Sequence, residues 1–354
     1  MSRFFSLSWL QPYTPGEQPQ NRDYIKLNTN ENPYPPAPAV RKLLTARDVA
    51  DLRLYPDPDC RGLKKKLAGL YGLTPEELFV ANGSDDILNF VFWGFPGEKG
   101  AVFPDITYGF YKVFAGLHRV PYREIPLRED FSLNPRDYYH QNSLIVIANP
   151  NAPTGLALTP GEIQGILDTN RDSLVVIDEA YVDFGAESCY PLLSQYENLL
   201  VVRTFSKSRC LAGGRLGYAM GSPAVISDLE RLKFSTNPYA LNRLTLALGE
   251  ATVEEEAYYR EISQKIQKTR KNTENALKGL GFLVLPSLGN FLFARRPGIS
   301  GENLYQSLKE KAILVRHFPQ ERIGEYVRIT MGTDEQMEQL IAALEEICHE
   351  NSPD

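Results

Sequence analysis

The chain has few cysteines, and they form no pattern: Cys60, Cys189, Cys210 and Cys348 are scattered through 354 residues with no Cys-x-x-Cys pair. That spacing speaks against a zinc knuckle and against a disulfide framework. The histidines, His118, His140, His317 and His349, show no ligand spacing either, so no metal site is expected. An excess of basic charge is also missing. With 38 Lys and Arg against 44 Asp and Glu the net charge is −6, which gives no long-range pull toward nucleic acid or an acidic membrane. The aromatic side chains are then better assigned to packing than to base stacking. No apolar run approaches the roughly 18 residues of a spanning helix. Met1 to Gly16 interrupts its apolar residues with Ser8, Gln11 and two prolines, unlike a signal peptide. A reducing, cytoplasmic setting is the expectation, and any anion the protein handles must be bound by local groups.

What is present points to an α/β protein. At ~150 residues per domain the chain is too long for one simple core. Residues 1–39, rich in Pro and Asn, read as an extended arm that must lie on something. Residues 40–250 alternate wholly apolar runs with amphipathic segments: Leu78 to Ala81, Ala101 to Phe103, Leu144 to Ala148, Leu174 to Ile177 and Leu199 to Val202. Such runs suit strands covered on both faces, hence a large domain with a mostly parallel sheet between helices. Residues 251–354 open with a long helical pattern from Tyr258 to Leu280. Strand candidates follow at Phe291 to Ala294, Ile313 to Val315 and Tyr326 to Thr330, then a helix from Asp334 to Cys348, a smaller α/β domain on which the arm is expected to pack.

In open parallel sheets the ligand crevice lies beyond the carboxyl ends of the strands, so the residues after each apolar run are the informative ones. Asp178 follows Leu174 to Ile177, and a carboxylate there is costly to desolvate without a partner. It reads either as a helix cap or structural ion pair, or as a carboxylate that keeps a pyridine nitrogen protonated. After Leu199 to Val202 comes Arg203-Thr204-Phe205-Ser206-Lys207-Ser208, then a glycine-rich turn ending in Arg215. Hydroxyl residues before Lys207 and an arginine after it have the makings of a Schiff-base lysine beside a phosphate site. Asp178 and Lys207 are far enough apart for one helix and one strand, so they can sit at neighbouring strand ends. Asn82-Gly83-Ser84-Asp85-Asp86 is a turn opening a helix. Its free N–H groups suit a phosphate, although a simply capped helix explains it equally.

Asn149-Pro150-Asn151-Ala152-Pro153-Thr154-Gly155, Asp178-Glu179-Ala180-Tyr181 and Thr204-Phe205-Ser206-Lys207 occur in that order, each after an apolar run. Together they resemble the successive cofactor-site motifs of the fold-type I pyridoxal-phosphate aminotransferases. Leu27-Asn28-Thr29-Asn30-Glu31-Asn32-Pro33, Leu54-Tyr55-Pro56-Asp57, Asn290-Phe291 and Val327-Arg328-Ile329-Thr330-Met331-Gly332 further resemble the histidinol-phosphate aminotransferases of the class II subfamily. The resemblance runs from about Lys26 to Thr333.

The resemblance implies a role for each matched residue. Lys207 would carry pyridoxal 5'-phosphate, Asp178 would pair with its ring nitrogen, Tyr181 would hydrogen-bond its ring hydroxyl and Tyr108 would stack on the ring. Its phosphate would be held by the backbone of Ser84 and Asp85, the hydroxyls of Thr204 and Ser206, Arg215 and, across a homodimer with shared sites, Tyr55. The family's motif has Asn where this chain has Ala152. Either Asn151 reaches in from the preceding position, or Tyr181 holds the hydroxyl with little help.

Arg328 matches the substrate-anion arginine, and Arg316 is a second planar fork in the same region. Tyr24, Asn30 or Glu31 from the arm is expected to close over the substrate. The implied reaction moves an amino group from histidinol phosphate to 2-oxoglutarate in histidine biosynthesis. The cofactor motifs do not separate this from an aromatic-amino-acid aminotransferase or a threonine-phosphate decarboxylase on the same scaffold. A silent binding protein is the alternative of another class, and retention of Lys207 with Asp178 speaks against it.

Overall fold

The computed structural model describes residues 10–43 and 45–350; residues 1–9 of the expected arm lie outside the described residues. Seven strands form the main sheet: β2 (Leu78–Ala81), β3 (Ala101–Pro104), β4 (Tyr122–Ile125), β5 (Leu144–Ala148), β6 (Val175–Asp178), β7 (Leu199–Thr204) and β8 (Gly217–Gly221), after a short β1 (Ile25–Lys26) in the arm. Their order is β2-β8-β7-β6-β5-β3-β4, parallel throughout except for β8, which runs antiparallel to both its neighbours. The expectation of a mostly parallel sheet holds.

The apolar runs form strands because both of their faces are buried. Along β5, Ile145 and Ile147 point into one core and Leu144, Val146 and Ala148 into the other. β6 and β7 alternate in the same way, with Val175, Ile177, Leu199 and Val201 on one side and Val176, Leu200 and Val202 on the other. On the first face pack the helices Arg61–Tyr71 and Pro160–Asp168, through Leu63, Leu67, Ile163 and Ile166; on the second pack Ser84–Gly94, Phe110–Leu117 and Pro223–Thr236. Each such side chain, fully buried, contributes roughly 1.5–3 kcal/mol.

A second sheet, of order β12-β13-β10-β9, is antiparallel and is built from β9 (Leu283–Val284), β10 (Phe291–Arg295), β12 (Arg316–His317) and β13 (Val327–Thr330). It shares a core with the helices Glu256–Gly279, Gly301–Glu310 and Asp334–Glu350. Leu27 of the arm, Tyr181 and Phe184 enter this same core. The long helix stops where Gly281 takes a positive φ of 78°. The arm lies on this region: β1 pairs in parallel with β11 (Ile313–Leu314), and Thr330 N–H donates to the Leu27 carbonyl.

Five strands escaped the sequence reading: the two-residue β1 and β9, and β4, β8 and β12. β4 is a largely polar edge strand, Tyr-Arg-Glu-Ile, with no apolar run to betray it. β8 is Gly-Tyr-Ala-Met-Gly, read as the end of a glycine-rich turn because its flanking glycines have poor strand propensity. β12 is two residues long, Arg316–His317, and lies just beyond Val315, where the expected strand ends.

Candidate functional site

Register places the site. Ala148 lies opposite Asp178, Asp178 opposite Val202, and two residues on Thr204 lies opposite Gly217, which in turn faces Ala81. The carboxyl ends of β2, β5, β6 and β7 and the start of β8 therefore open on one edge. A cavity of about 190 Å³ lies there, and Ser84, Asp85, Tyr108, Asp178, Tyr181, Thr204, Ser206, Lys207 and Arg215 all line it.

One end of the cavity is an anion cradle. The helix Ser84–Gly94 starts there with free N–H groups and a positive dipole. Gly83, at a φ of 91°, precedes it, and a Cβ there would stand 2.8 Å from the Arg215 guanidinium. A Cβ on Gly217 would stand 2.5 Å from the Ser84 nitrogen. Only glycine at both positions lets Arg215 and β8 close on the helix start. Arg215 donates to the Ser206 hydroxyl at 3.4 Å and to Asp85 at 3.2 Å, while the Tyr108 phenol donates to the other Asp85 oxygen at 2.7 Å. Thr204 Oγ1 accepts from the Ser206 N–H at 3.1 Å.

The opposite wall is a buried carboxylate. Asp178 ends β6 at 4% exposure and accepts from the Tyr111 phenol at 2.9 Å and from the Ala180 N–H at 3.2 Å. Burial pushes its carboxyl up to about 6 despite the Tyr111 hydrogen bond that opposes the shift. Neighbouring Glu179 is instead satisfied by Arg203 at 2.9 Å, so the two adjacent carboxylates differ in that one is paired with a cation and the other faces the cavity.

Lys207 stands between the cavity and a larger cleft of about 820 Å³, and lines both, as do Tyr108 and Tyr181. Burial, with Arg328 adding to it, lowers its ammonium to about 8. Its Nζ donates to the Thr29 carbonyl at 3.0 Å. Arg328 donates to the Asn28 carbonyl at 3.0 Å, and desolvation lowers its guanidinium as well. Arg316 reaches the Pro15 and Thr14 carbonyls at 3.0 and 2.9 Å. Both arginines line the cleft, as do arm residues 10–16.

Five expected residues line neither hollow of this chain. The Asn151 side chain does not reach into the cavity: it accepts from Thr107 at 2.8 Å and donates to Ile106 O and Thr154 Oγ1, which holds the proline turn. Ala152 takes the cavity wall instead, so of the two alternatives Tyr181 alone remains beside it. Tyr24 does not line the cleft; the β1–β11 pairing leaves it on a separate surface hollow beside Arg22 and Lys26, bonded to Asn21 at 3.3 Å. Glu31 is drawn to Lys26 at 2.8 Å. Asn30 is buried and spent on structure, donating to the Tyr181 phenol at 3.0 Å and accepting from Thr330 at 2.9 Å. Tyr55 is 77% exposed, stacked on Tyr239 at 4.6 Å, outside both hollows of this chain.

The sequence reading missed three contributors. Tyr13, stacked on Phe110 at 4.2 Å, is the arm aromatic that lines the cleft, and nothing in its neighbourhood flagged it. The Asn28 and Thr29 carbonyls carry no side-chain signature at all. Tyr111, in the first turn of the helix that follows Tyr108, carried no signal that set it apart from a packed aromatic.

The family model for class I and II aminotransferases matches residues 22–344. The chain belongs to the class I and II aminotransferases. It is 51% identical over 97% of its length to histidinol-phosphate aminotransferase from Marinomonas sp. (strain MWYL1), covering 99% of that protein, and 49% identical over 93% to its counterpart from Brachyspira hyodysenteriae, covering 94%. Within the class it is therefore a member of the histidinol-phosphate aminotransferase family. A crystal structure of histidinol-phosphate aminotransferase from Sinorhizobium meliloti in complex with pyridoxal-5'-phosphate shares its fold, with a TM-score of 0.88 over 99% of both chains at 23% identity.

The cavity fits that cofactor on its own terms. It offers a phosphate-sized cradle of helix N–H groups, hydroxyls and a guanidinium, a buried carboxylate that lacks a cation at the far wall, and a desolvated amine between them. Among the described residues no cluster of His, Cys, Asp and Glu could hold a metal ion, and no helix is long and apolar enough to cross a membrane.

Proposed function

We propose that this protein transfers the amino group of histidinol phosphate to 2-oxoglutarate, with pyridoxal phosphate held in the smaller cavity. The observation that carries the reading is the position of Lys207, whose amine lines both the cavity walled by Asp178 and Arg215 and the cleft that holds Arg316 and Arg328. Pyridoxal phosphate supplies an aldehyde that takes up an amine and a ring that accommodates the electron pair of a breaking C–H bond.

The chain's own residues do the rest. The helix start, Thr204, Ser206 and Arg215 hold the phosphate, and Asp178 holds a proton at the ring nitrogen. Lys207, lowered to about 8, is neutral in a useful fraction near physiological pH, so its amine would take the proton from the substrate's amine-bearing carbon and deliver it, past the nitrogen, to the carbon that was the cofactor's aldehyde. Tyr181 is aimed by Asn30 and sits beside the ring hydroxyl's expected position. Histidinol phosphate has no carboxylate, so its phosphate is the anion for the two guanidiniums, which serve the 2-oxoglutarate carboxylates in the other half-reaction. Tyr13 and the arm form one wall of the cleft.

A homodimer with shared sites belongs to the same reading. Tyr55, Val49, Leu52 and Leu54 are exposed on one stretch, and an apolar stretch of this kind suits a subunit contact that carries Tyr55 to the neighbouring cradle. Sedimentation that returns the mass of one chain contradicts that assignment. The cytoplasmic setting is kept with it. Steady-state kinetics with histidinol phosphate, phenylalanine and threonine phosphate test the substrate: histidinol phosphate is expected to give the highest kcat/KM. Higher kcat/KM on phenylalanine, or carbon dioxide release from threonine phosphate, would overturn the assignment.

A further inference from the structure

Tyr111 is fully buried in the helix Phe110–Leu117, one turn beyond Tyr108, with which it makes an edge contact at 5.7 Å. Its ring packs among Phe92 and Phe103, and its phenol oxygen lies 2.9 Å from Asp178 Oδ2. A carboxylate only accepts, so the phenol donates. The Ala180 N–H takes Oδ1, which leaves each oxygen a lone pair unclaimed beside the cavity. The other charged or titratable groups around Asp178 are Glu179 and, across the cavity, Asp85, Tyr108, Tyr181, Lys207 and Arg215. Asp85 and Glu179 both push the Asp178 carboxyl upward, each weakened by its own cation, Arg215 and Arg203.

We infer that Tyr111 is a positioning residue for the proposed reaction: by donating its phenol proton to Asp178 it fixes the carboxylate plane and makes Asp178 the weaker base, so that the proton shared with the cofactor ring stays on the ring. The inference rests on the proposed function. Its physical basis is that a donor to the charged form of an acid favours that form. Removing the phenol strengthens Asp178 as a base, draws the shared proton toward the carboxylate and leaves the ring with less positive charge. No further group is oxidised, reduced or transferred. Burial also keeps the phenol protonated, well above its ordinary range, so it remains a donor at every working pH.

The experiment loads wild-type protein, Tyr111→Phe and Asp178→Asn with pyridoxal phosphate carrying ¹⁵N in the ring, and follows the nitrogen chemical shift over roughly pH 6 to 9. The wild type is expected to show a predominantly protonated ring, short of the fully protonated limit. Tyr111→Phe should move the shift toward that of a neutral pyridine, lower kcat by about tenfold and change KM for histidinol phosphate by less than about threefold, the loss of one charged hydrogen bond. Incorporating 3-fluorotyrosine at position 111, a stronger donor that keeps the ring and the hydroxyl, should move the shift the opposite way; this arm stands even if Tyr111→Phe folds poorly. A Tyr111→Phe protein with an unchanged shift overturns the inference, whether its kcat is unchanged or reduced, because a reduction without a shift marks a structural role. If Asp178→Asn differs from wild type while both Tyr111 variants do not, the functional reading survives and the inference alone falls. A wild type that takes up no cofactor sinks both.

Discussion

The two hollows that meet at Lys207 are built differently. The smaller cavity takes all its walls from residues 84–215, at the ends of strands whose register is fixed by continuous apolar runs and two packed helix layers. The larger cleft draws on residues 10–16, the loop around Tyr108, and Arg316, Phe318 and Arg328, three stretches brought together by the arm's pairing with β11 and by side chains bonded to arm carbonyls. The first is set by a sheet whose register cannot slip without turning its core outward. The second depends on long-range contacts of modest energy. On the proposed function, chemistry common to the class falls in the first hollow and substrate choice in the second.

That contrast can be broken by mutation, and the largest effect is expected in the cleft. Arg316→Ala removes a charged contact worth roughly 1.5–3 kcal/mol, and so should lower kcat/KM for histidinol phosphate by about one to two decades while leaving phenylalanine, if accepted, much less affected. Equal losses on both substrates would make Arg316 a prop for the arm, through Thr14 and Pro15, rather than a reader of the substrate.

A smaller effect is expected in the cavity, and it is one of stability. Burial holds the Asp178 carboxyl at about 6 in the cofactor-free protein, above the ~3.9 of an unfolded chain. Between those values the folded chain binds a proton that the unfolded chain has released, so this group's contribution to stability falls as pH rises through that window and stays low above it. Asp178→Asn lifts that penalty. Thermal melts of cofactor-free protein should place the variant roughly a few °C above wild type at pH 8, with the difference closing toward pH 4. A constant difference, or a less stable variant at pH 8, would show that the carboxylate is paired after all.

The smallest effect is expected at the seam between the two hollows' supports. Arg322 pairs with Asp105 at 2.7 Å and reaches the Leu127 carbonyl at 2.9 Å, which ties the loop before β13 to the strand end that leads to Tyr108. Both partners are partly exposed, so Arg322→Met should cost no more than about 1 kcal/mol in denaturant melts and raise KM only slightly. A loss of several kcal/mol would mean that this pair, and not the shared apolar cluster around Phe131 and Phe293, holds the seam.

The same contrast explains what could be read from the sequence. β5, β6 and β7 were legible because both faces of each are buried, and Asp178, Lys207 and Arg215 because they follow those runs at one sheet edge. β8 was not, since Gly217, which allows the close approach to Ser84, and Gly221 mask the strand. In the cleft, Arg316 and Arg328 were found as side-chain chemistry, but the arm was misjudged. A segment with one two-residue strand has no periodicity to show which way a side chain points, so Tyr24 was expected where Tyr13 lies. Asn151 was misplaced for a related reason: a motif gives the spacing, whereas the hydrogen bonds to Ile106 and Thr154 decide the direction.

The claim on which the rest depends is that Lys207 carries the cofactor. Protein incubated with pyridoxal phosphate, reduced with borohydride and digested should yield a single pyridoxyl-modified peptide, detected by mass spectrometry and fragmented to place the group on Lys207. No stable adduct, or a label distributed over other lysines with Lys207 unmodified, would contradict it.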